Sequence, residues 1–340
     1  MVFKVLRFGP IRFAQESWDA FAALQDVEVV ESDAQKREDF IKEIKDGKFA
    51  DVDFIARTFH STAITGRYDR EVLELFVKHT KVKGIAHCGA GYDQIDAVVA
   101  GELGIQVANV PDHVADATAD TNLFLILATM RKYQQSNRGM LAGKWPTDFT
   151  CGVPVGRSIQ GKVVGILGMG SIGRTVRDRL SGFGVKKVVY YNRSRLSPEL
   201  EKDSEYCATI EELAKICDVI SINLPLNKRT HHIIGEDLFA QMKDGVFIVN
   251  TARGSVVDEA AMKKALDSGK VAGYGSDVWE DEPRCDDELI QRDDVACLPH
   301  VGAATVETFT GMEEHVLNNV KHAKDTGKVL TIVPELRGMF

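Results

Sequence analysis

Residues 162–173, with the sequence KVVGILGMGSIG, decide the fold of this chain. The run Lys162–Leu167 has the composition of a buried strand, and Ser171–Leu180 has the pattern of a helix. Three glycines between them form a G-x-G-x-x-G motif: Gly168, Gly170 and Gly173. They permit a tight turn, a close approach of backbone to a pyrophosphate, and close helix–strand packing. The helix start, at Ser171 and Ile172, favours an anion through its N–H groups and the positive end of the helix dipole. The stretch therefore predicts a dinucleotide-binding domain.

The next predicted strand, Lys187–Tyr191, ends in a basic turn made of Asn192, Arg193, Ser194 and Arg195. An NAD site normally has Asp or Glu here, about 20 residues past the glycines, to bind the ribose 2′-hydroxyl. Arginine instead binds a 2′-phosphate, which a carboxylate would repel. The turn favours NADPH as the cofactor, with NADH possible. The alternative is an exposed basic turn that tolerates either cofactor.

Three polar residues, Arg253, Glu282 and His300, each follow a short apolar run and precede Gly or Pro within two positions. Such runs are typical of buried parallel strands that end in loops, and ligands bind outside the carboxyl ends of these strands. Arg253 can hold a carboxylate and polarise a carbonyl, because its planar guanidinium is always charged. His300 can deliver a proton near neutral pH, and Glu282 can orient its ring. The trio predicts a catalytic site for a small 2-oxo acid, although each residue alone also suits an ordinary strand end or turn.

The chain alternates strand-like and helix-like segments twice, which predicts an α/β fold with parallel sheets. The first series covers about one hundred residues, with strands predicted over 2–8, 27–31, 52–56, 82–86 and 107–109. A single long helix is predicted over residues 115–141, followed by a turn-rich stretch up to Gly161. The second series starts at Lys162 and runs to about Leu298, and a last helix is predicted over residues 307–324. The glycine motif thus opens the second series, so another domain precedes the nucleotide-binding one.

The composition is that of an ordinary globular protein, with 340 residues, 44% hydrophobic and 27% charged. The formal net charge of −8 argues against a nucleic-acid partner, since phosphate binding needs a basic surface. The apolar stretches are too short to span a bilayer, and no targeting signal is evident, so a cytoplasmic location and no membrane partner are expected. The six cysteines form no Cys-x-x-Cys pair, so reduced core cysteines are expected, with no metal site.

The motifs GMGSIG, NTARG, DVWEDEP and LPHVG follow one another in an order that resembles the D-isomer-specific 2-hydroxyacid dehydrogenase family. The resemblance implies two Rossmann-like domains, with the nucleotide domain (residues 115–305) inserted into a substrate domain (residues 1–114 and 306–340), and a homodimer. It implies that Arg253 binds substrate, that Glu282 and His300 form an acid–base pair, and that backbone N–H groups around Gly89, Ala90 and Gly91 hold the substrate carboxylate. It also implies further cofactor contacts at Leu224, Pro225, Thr251, Ala252, Asp277 and Gly302.

Within the family, GAGYDQID, NVPD and TGKVLTIVPEL are most similar to fungal glyoxylate/hydroxypyruvate reductases. The implied activity is NADPH-dependent reduction of glyoxylate and hydroxypyruvate, with His300 as the proton donor. One alternative is a broader or aromatic 2-oxo acid reductase of the D-mandelate dehydrogenase kind. Another is a nicotinamide-sensing corepressor or scaffold on the same fold, which can retain the trio and is distinguished by negligible turnover.

Overall fold

The computed structural model describes residues 2–340. Its strands are β1 (Phe3–Phe8), β2 (Val27–Glu31), β3 (Phe54–Thr58), β4 (Gly84–Cys88), β5 (Gln106–Ala108), β6 (Val163–Leu167), β7 (Lys187–Tyr191), β8 (Glu205–Tyr206), β9 (Val219–Ile222), β10 (Val246–Asn250), β11 (Val271–Ser276) and β12 (Val295–Cys297). Its helices are α1 (Gln15–Ala22), α2 (Arg37–Lys45), α3 (Thr62–Thr65), α4 (Arg70–His79), α5 (Ala97–Glu102), α6 (Ala115–Arg131), α7 (Tyr133–Leu141), α8 (Ser171–Leu180), α9 (Pro198–Glu201), α10 (Ile210–Ile216), α11 (Glu236–Gln241), α12 (Glu259–Asp267), α13 (Asp287–Ile290) and α14 (Val306–Thr326).

The chain divides into two compact units. One holds the chain up to Val114 together with Thr305–Phe340, and the other holds Ala115–Ala304. Each unit contains one sheet whose strands all pair in parallel. The prediction of an α/β fold with two Rossmann-like parallel sheets is therefore confirmed.

The sheet of the first unit has the strand order β2-β1-β3-β4-β5. Every residue of β3 and β4 is buried, as expected of central strands covered on both faces. Helix α14, near the end of the chain, packs against both of these strands. The C-terminal segment therefore completes the core of the unit that the first residues begin.

The sheet of the second unit has the order β12-β11-β10-β9-β6-β7-β8. From β6 the chain moves outward through β7 and β8, then crosses back to β9 on the other side of β6. Strand order reverses between β6 and β9, and open α/β sheets bind ligands at such a reversal. The glycine motif directly follows β6, so it lies at this position.

The predicted helix over residues 115–141 is wrong as a single element. It is interrupted at Lys132, whose backbone is left-handed (φ 56°), and α7 starts at the next residue. Residues 129–135 contain neither Gly nor Pro, so the sequence carries no helix-ending signal at this point. Among residues 2–340, no helix combines the length and apolar character needed to cross a membrane. All six cysteines are free, and four of them are buried.

Candidate active site

The carboxyl ends of six strands in the Ala115–Ala304 unit meet at one edge of the sheet. The last residues of neighbouring strands pair in register, in the order Tyr191, Leu167, Ile222, Asn250, Ser276 and Cys297. Segments that follow parallel strands emerge at the same edge. The glycine motif, the basic turn and the segments carrying the predicted trio are thereby brought to one side of this unit.

His300 and Glu282 form a hydrogen-bonded pair, with His300 Nδ1 2.7 Å from Glu282 Oε2. The other carboxylate oxygen of Glu282 accepts the backbone N–H of Trp279 at 2.8 Å, which fixes the carboxylate plane. Burial alone would raise the pKa of Glu282. The hydrogen bond and charge of His300, together with the charge of Arg253, outweigh burial and lower this pKa. Glu282 is therefore a charged acceptor that orients the imidazole and leaves Nε2 of His300 available for another partner.

Asp277 holds the backbone around His300. Its two carboxylate oxygens accept the N–H groups of Val301 (2.8 Å) and Gly302 (2.7 Å), and its carbonyl accepts the N–H of His300 (2.7 Å). His300 itself has a left-handed backbone conformation, with φ 55°. Burial raises the pKa of Asp277, although the two N–H groups and the charge of His300 oppose the rise. Asp277 thus fixes the loop that presents the imidazole.

The side-chain amide of Asn250, the last residue of β10, holds the segment that carries Arg253. The Asn250 amide accepts the N–H of Ala252 and donates to the carbonyl of Arg253, both at 2.9 Å. Gly254 follows directly, and a Cβ at this position would overlap the backbone of Trp279. Close contact between the loops after β10 and β11 thus requires glycine here, and it brings the Arg253 segment beside the loop that leads to Glu282.

A series of side-chain hydrogen bonds connects Thr251 to Asn122, Ser221 and Asn223. These last three residues were not among the predicted site residues. Asn122 of α6 donates to the Thr251 hydroxyl (2.9 Å) and accepts from the hydroxyl of Ser221 (3.0 Å). Ser221 in turn accepts from the Asn223 amide at 2.9 Å. The available signal was the presence of Asn and Ser within otherwise apolar segments. These residues connect the ends of β9 and β10.

The glycine motif has the shape that a pyrophosphate requires. Gly168 has a positive φ of 93°, and a Cβ there would lie 2.6 Å from the carbonyl oxygen of Asn223. A Cβ on Gly173 would overlap the carbonyl of Gly168, whereas one on Gly170 would enter open space. Helix α8 begins at Ser171, directly after Gly170, so the positive end of the helix dipole faces the same region. The residues present therefore fit a dinucleotide, with Gly170 leaving room for its phosphates.

The basic turn after β7 divides into residues with different partners. The side-chain oxygen of Asn192 accepts the N–H of Met169 at 2.7 Å, so this side chain holds the glycine motif and presents only its NH₂ group outward. Arg195 makes two hydrogen bonds to the carboxylate of Glu201, at 2.7 and 2.8 Å. Arg193 and Ser194 are exposed, and within residues 2–340 no carboxylate pairs with Arg193. Leu224 and Pro225 follow β9 at the same edge of the sheet, half-buried and exposed respectively.

The predicted substrate loop belongs to the other unit, where Gly89, Ala90 and Gly91 directly follow β4. A Cβ on Gly89 would lie 2.8 Å from the ring of His87, which explains glycine at this position. Val110 donates its N–H to the Gly89 carbonyl at 3.0 Å, and the Asn109 side chain donates to the Ala90 carbonyl at 2.7 Å. In the described part of the chain, the N–H groups of Ala90 and Gly91 have no protein acceptor.

A separate polar cluster in the Ala115–Ala304 unit consists of His231, His232 and Glu280, whose possible ligand atoms lie within 4.8 Å of one another. The two imidazole rings are stacked, with centroids 4.0 Å apart and an interplanar angle of 27°. Nε2 of His232 is hydrogen-bonded to Oε1 of Glu280 in this cluster.

Comparisons with known proteins agree with this geometry. Residues 123–302 match the family model described as D-isomer specific 2-hydroxyacid dehydrogenase, NAD binding domain. The chain is 45% identical to glyoxylate reductase 1 of Saccharomyces cerevisiae, over 98% of this chain and 95% of that protein. It is 44% identical to 4-methyl-2-oxopentanoate reductase A of Aspergillus oryzae, over 98% of this chain and 99% of that protein.

Two solved structures are similar over nearly their whole length. A glyoxylate reductase from Paecilomyes thermophila has a TM-score of 0.93 and 42% identity, with 99% of both chains covered. The NADPH-dependent glyoxylate/hydroxypyruvate reductase of Sinorhizobium meliloti, in complex with NADP and malonate, has a TM-score of 0.84 and 29% identity. That match covers 99% of this chain and 98% of the other.

Proposed function

Because this chain belongs to the D-isomer specific 2-hydroxyacid dehydrogenase family, a family of oxidoreductases, we propose that it reduces glyoxylate and hydroxypyruvate with NADPH. The products are the corresponding 2-hydroxy acids. The observation that carries the proposal is the 2.7 Å contact between His300 and Glu282, at the sheet edge that also presents Arg253 and the glycine motif. An oriented imidazole next to a cationic side chain supplies what reduction of a 2-oxo acid needs.

The reaction assigns a distinct task to each member of the trio. The reduced nicotinamide supplies the hydride when it is bound. Arg253 polarises the substrate carbonyl and stabilises the negative charge that develops on its oxygen. His300 donates a proton from Nε2 to that oxygen, and Glu282 stabilises the protonated ring through Nδ1. Asp277 acts through the backbone of the His300 loop and is a positioning residue.

We assign the substrate carboxylate to the N–H groups of Ala90 and Gly91. Two backbone donors without a protein acceptor are suited to an anion, and glycine at positions 89 and 91 allows a ligand to approach the main chain. In this proposal the unit containing β1–β5 carries the substrate loop, and the unit containing β6–β12 carries the cofactor site. The expected homodimer stays a prediction.

The preference for NADPH rests mainly on Arg193. Asn192 presents a donor where an acceptor for the ribose 2′-hydroxyl would be needed, because its oxygen is occupied by Met169. Arg195 shares its charge with Glu201. Arg193 therefore takes the 2′-phosphate in this proposal, with Ser194 as a second donor. The NADP complex of the Sinorhizobium meliloti reductase supports this choice.

Initial rates with glyoxylate and hydroxypyruvate, measured with NADPH and with NADH, test the proposal. We expect turnover at ordinary enzyme rates and a higher kcat/KM with NADPH. Tight NADPH binding with negligible turnover of any 2-oxo acid would support the nicotinamide-sensing corepressor or scaffold instead. A higher kcat/KM with NADH would overturn the cofactor assignment alone.

A second candidate function is the reduction of 2-oxo acids with larger apolar side chains. The 4-methyl-2-oxopentanoate reductase of Aspergillus oryzae is as similar over the whole chain as the yeast glyoxylate reductase. In the unit of β1–β5, Phe309 packs against Phe13 and Phe59, with ring centroids 5.2 and 6.4 Å away. Phe59 directly follows β3, which neighbours the strand that leads to the substrate loop. A kcat/KM for 4-methyl-2-oxopentanoate or phenylglyoxylate above that for glyoxylate would establish this alternative.

A further inference from the structure

Two hydrogen bonds set the direction of the free N–H groups in the substrate loop. In a trans peptide, the carbonyl and the following N–H point in opposite directions. The Gly89 carbonyl accepts from the N–H of Val110, so the N–H of Ala90 points away from that residue. The Ala90 carbonyl accepts from the Asn109 side chain, so the N–H of Gly91 points away from Asn109. Both donors therefore face the side opposite to residues 109–110.

Asn109 is in turn held by Thr331, 222 positions further along the chain. The Thr331 hydroxyl donates to the Asn109 carbonyl at 2.7 Å, and the Asn109 N–H donates to the Thr331 carbonyl at 3.3 Å. Asn109 is about nine-tenths buried, so these bonds are shielded from water. The orientation of its side chain toward Ala90 thus depends on a backbone that Thr331 fixes on both sides.

The Thr331 hydroxyl has two further hydrogen-bond partners on helix α14. In addition to its donation to Asn109, it accepts from the Asn319 amide at 3.1 Å and lies 3.0 Å from His315 Nε2. Asn319 is buried, and its side-chain oxygen accepts the N–H groups of Leu330 and Thr331. Three hydrogen-bond partners, Asn109, Asn319 and His315, restrict the orientation of this hydroxyl. Helix α14 therefore fixes Thr331, which fixes Asn109.

We propose that Thr331 is a positioning residue for the substrate carboxylate, acting through Asn109 on the peptide planes of the loop Gly89–Gly91. The inference rests on the proposed function, which assigns the carboxylate to this loop. It extends the site to Thr331 in the C-terminal segment. The purely structural alternative is that this segment only covers the sheet edge, where Ala108 pairs with Ile332 and Val107 accepts from Val333.

Three variants separate these two roles. Thr331→Val keeps the side-chain shape but removes the hydroxyl, and Thr331→Ser keeps the hydroxyl but removes a methyl group. Thr326→Val is the matched control, because its hydroxyl belongs to the same C-terminal segment but bonds to His322 and Lys328 rather than to Asn109. We expect Thr331→Val to raise KM for glyoxylate about tenfold, while its KM for NADPH changes little. The thermal midpoints of Thr331→Ser and Thr326→Val should also change little. Thr331→Ser should restore KM to nearly the wild-type value.

A double-mutant cycle tests whether Thr331 acts through Asn109. Asn109→Ala removes the donor to Ala90 and should also raise KM for glyoxylate. If the two residues act in sequence, the variant carrying both Asn109→Ala and Thr331→Val has a KM close to that of Asn109→Ala alone. Additive effects on KM, or a lower thermal midpoint with unchanged KM, would assign Thr331 to the structural role.

Hydrogen exchange at the Val110 amide keeps the inference testable without turnover, because this N–H bonds to the Gly89 carbonyl. Faster exchange in Thr331→Val and Asn109→Ala, but not in Thr331→Ser, is the expected result. Unchanged exchange in all variants would overturn the inference. If exchange responds as expected but the wild-type protein reduces no 2-oxo acid and does not bind oxalate, the positioning holds and the proposed function fails.

Discussion

At the scale of single residues, the candidate site centres on one imidazole that is oriented by one carboxylate. His300 contributes Nδ1 to Glu282 and retains Nε2 for the substrate in the proposed reaction. We expect His300→Ala to lower kcat by roughly 10²–10⁴, the usual contribution of general acid catalysis, while the dissociation constant for NADPH changes little. Steady-state kinetics and a fluorescence titration with NADPH measure the two effects. His79→Ala, in the other unit, is the control, and a kcat near the wild-type value in His300→Ala would remove the proton-donor role.

Glu282 makes a distinct prediction about pH. Its pKa is lowered, so the carboxylate is charged throughout the neutral range and stabilises a protonated imidazole. Glu282→Gln keeps the shape and removes this charge, so a protonated imidazole loses the carboxylate that stabilises it. Because the proposed reaction requires the protonated ring, the alkaline limb of the pH–rate profile should move to lower pH in the variant. The profile of kcat/KM for glyoxylate between pH 5 and pH 10 measures this shift. An alkaline limb that does not move would show that Glu282 does not act on the proposed proton donor.

At the scale of elements, two loops approach each other closely because Gly254, at their contact, has no side chain. A methyl group at Gly254 would overlap the Trp279 backbone, so Gly254→Ala must displace the loop after β10, the loop after β11, or both. Overpacking of this kind costs about 1–3 kcal/mol of unfolding free energy. Because Arg253 and Glu282 lie on those two loops, we expect kcat/KM to fall more than tenfold as well. Urea denaturation and steady-state kinetics measure both effects.

Gly182→Ala is the control for this substitution, since a Cβ there would meet no atom within 4 Å. Equal stability and activity in Gly254→Ala and Gly182→Ala would contradict the close contact between the two loops.

The sequence predicts most elements of both sheets, and its errors have physical causes. Strand β2 and strand β7 have the predicted bounds, whereas β3 and β4 begin and end two residues later than predicted. The apolar pattern led to Val52 and Val82 as strand starts, but Asp53 accepts the Lys4 N–H and ends the preceding turn. The true strand ends contain Arg57 and His87, polar residues buried by the fold, which no local pattern distinguishes from loop residues.

The candidate site was predictable where a motif carries it and not where distant contacts build it. The trio and the glycine motif each follow an apolar run, so their common sheet edge could be inferred. The ion pair between Arg195 and Glu201 and the hydrogen bond between Asn192 and Met169 depend on side-chain positions that the sequence does not reveal. The same is true of Asn122 and Thr251, which lie 129 positions apart. Buried residues that contact the site residues are indicated in the sequence only by a polar residue within an apolar segment.

At the scale of the whole molecule, cofactor binding is coupled to stability. A ligand that binds only the folded protein stabilises it by about 2.7 kcal/mol at a concentration of 100 times Kd. If Arg193 binds the 2′-phosphate, Arg193→Ala weakens NADPH binding about tenfold, which removes about 1.4 kcal/mol of this stabilisation. For a unit of this size the loss corresponds to about 3–6 °C in the thermal midpoint.

Thermal unfolding of wild type and Arg193→Ala, each with NADPH, with NADH and without ligand, measures this coupling. The midpoint without ligand should be the same in both proteins, because Arg193 is exposed and makes no ion pair with residues 2–340. The midpoint with NADH should also be unchanged, since NADH has no 2′-phosphate. Lys215→Ala removes another exposed cation of the same unit that makes no ion pair with residues 2–340, and it is the control for net charge. An equal loss with both cofactors would place Arg193 at a group that they share. If Arg193→Ala and wild type have the same thermal midpoint with NADPH, the basic turn is an exposed turn that does not bind the 2′-phosphate.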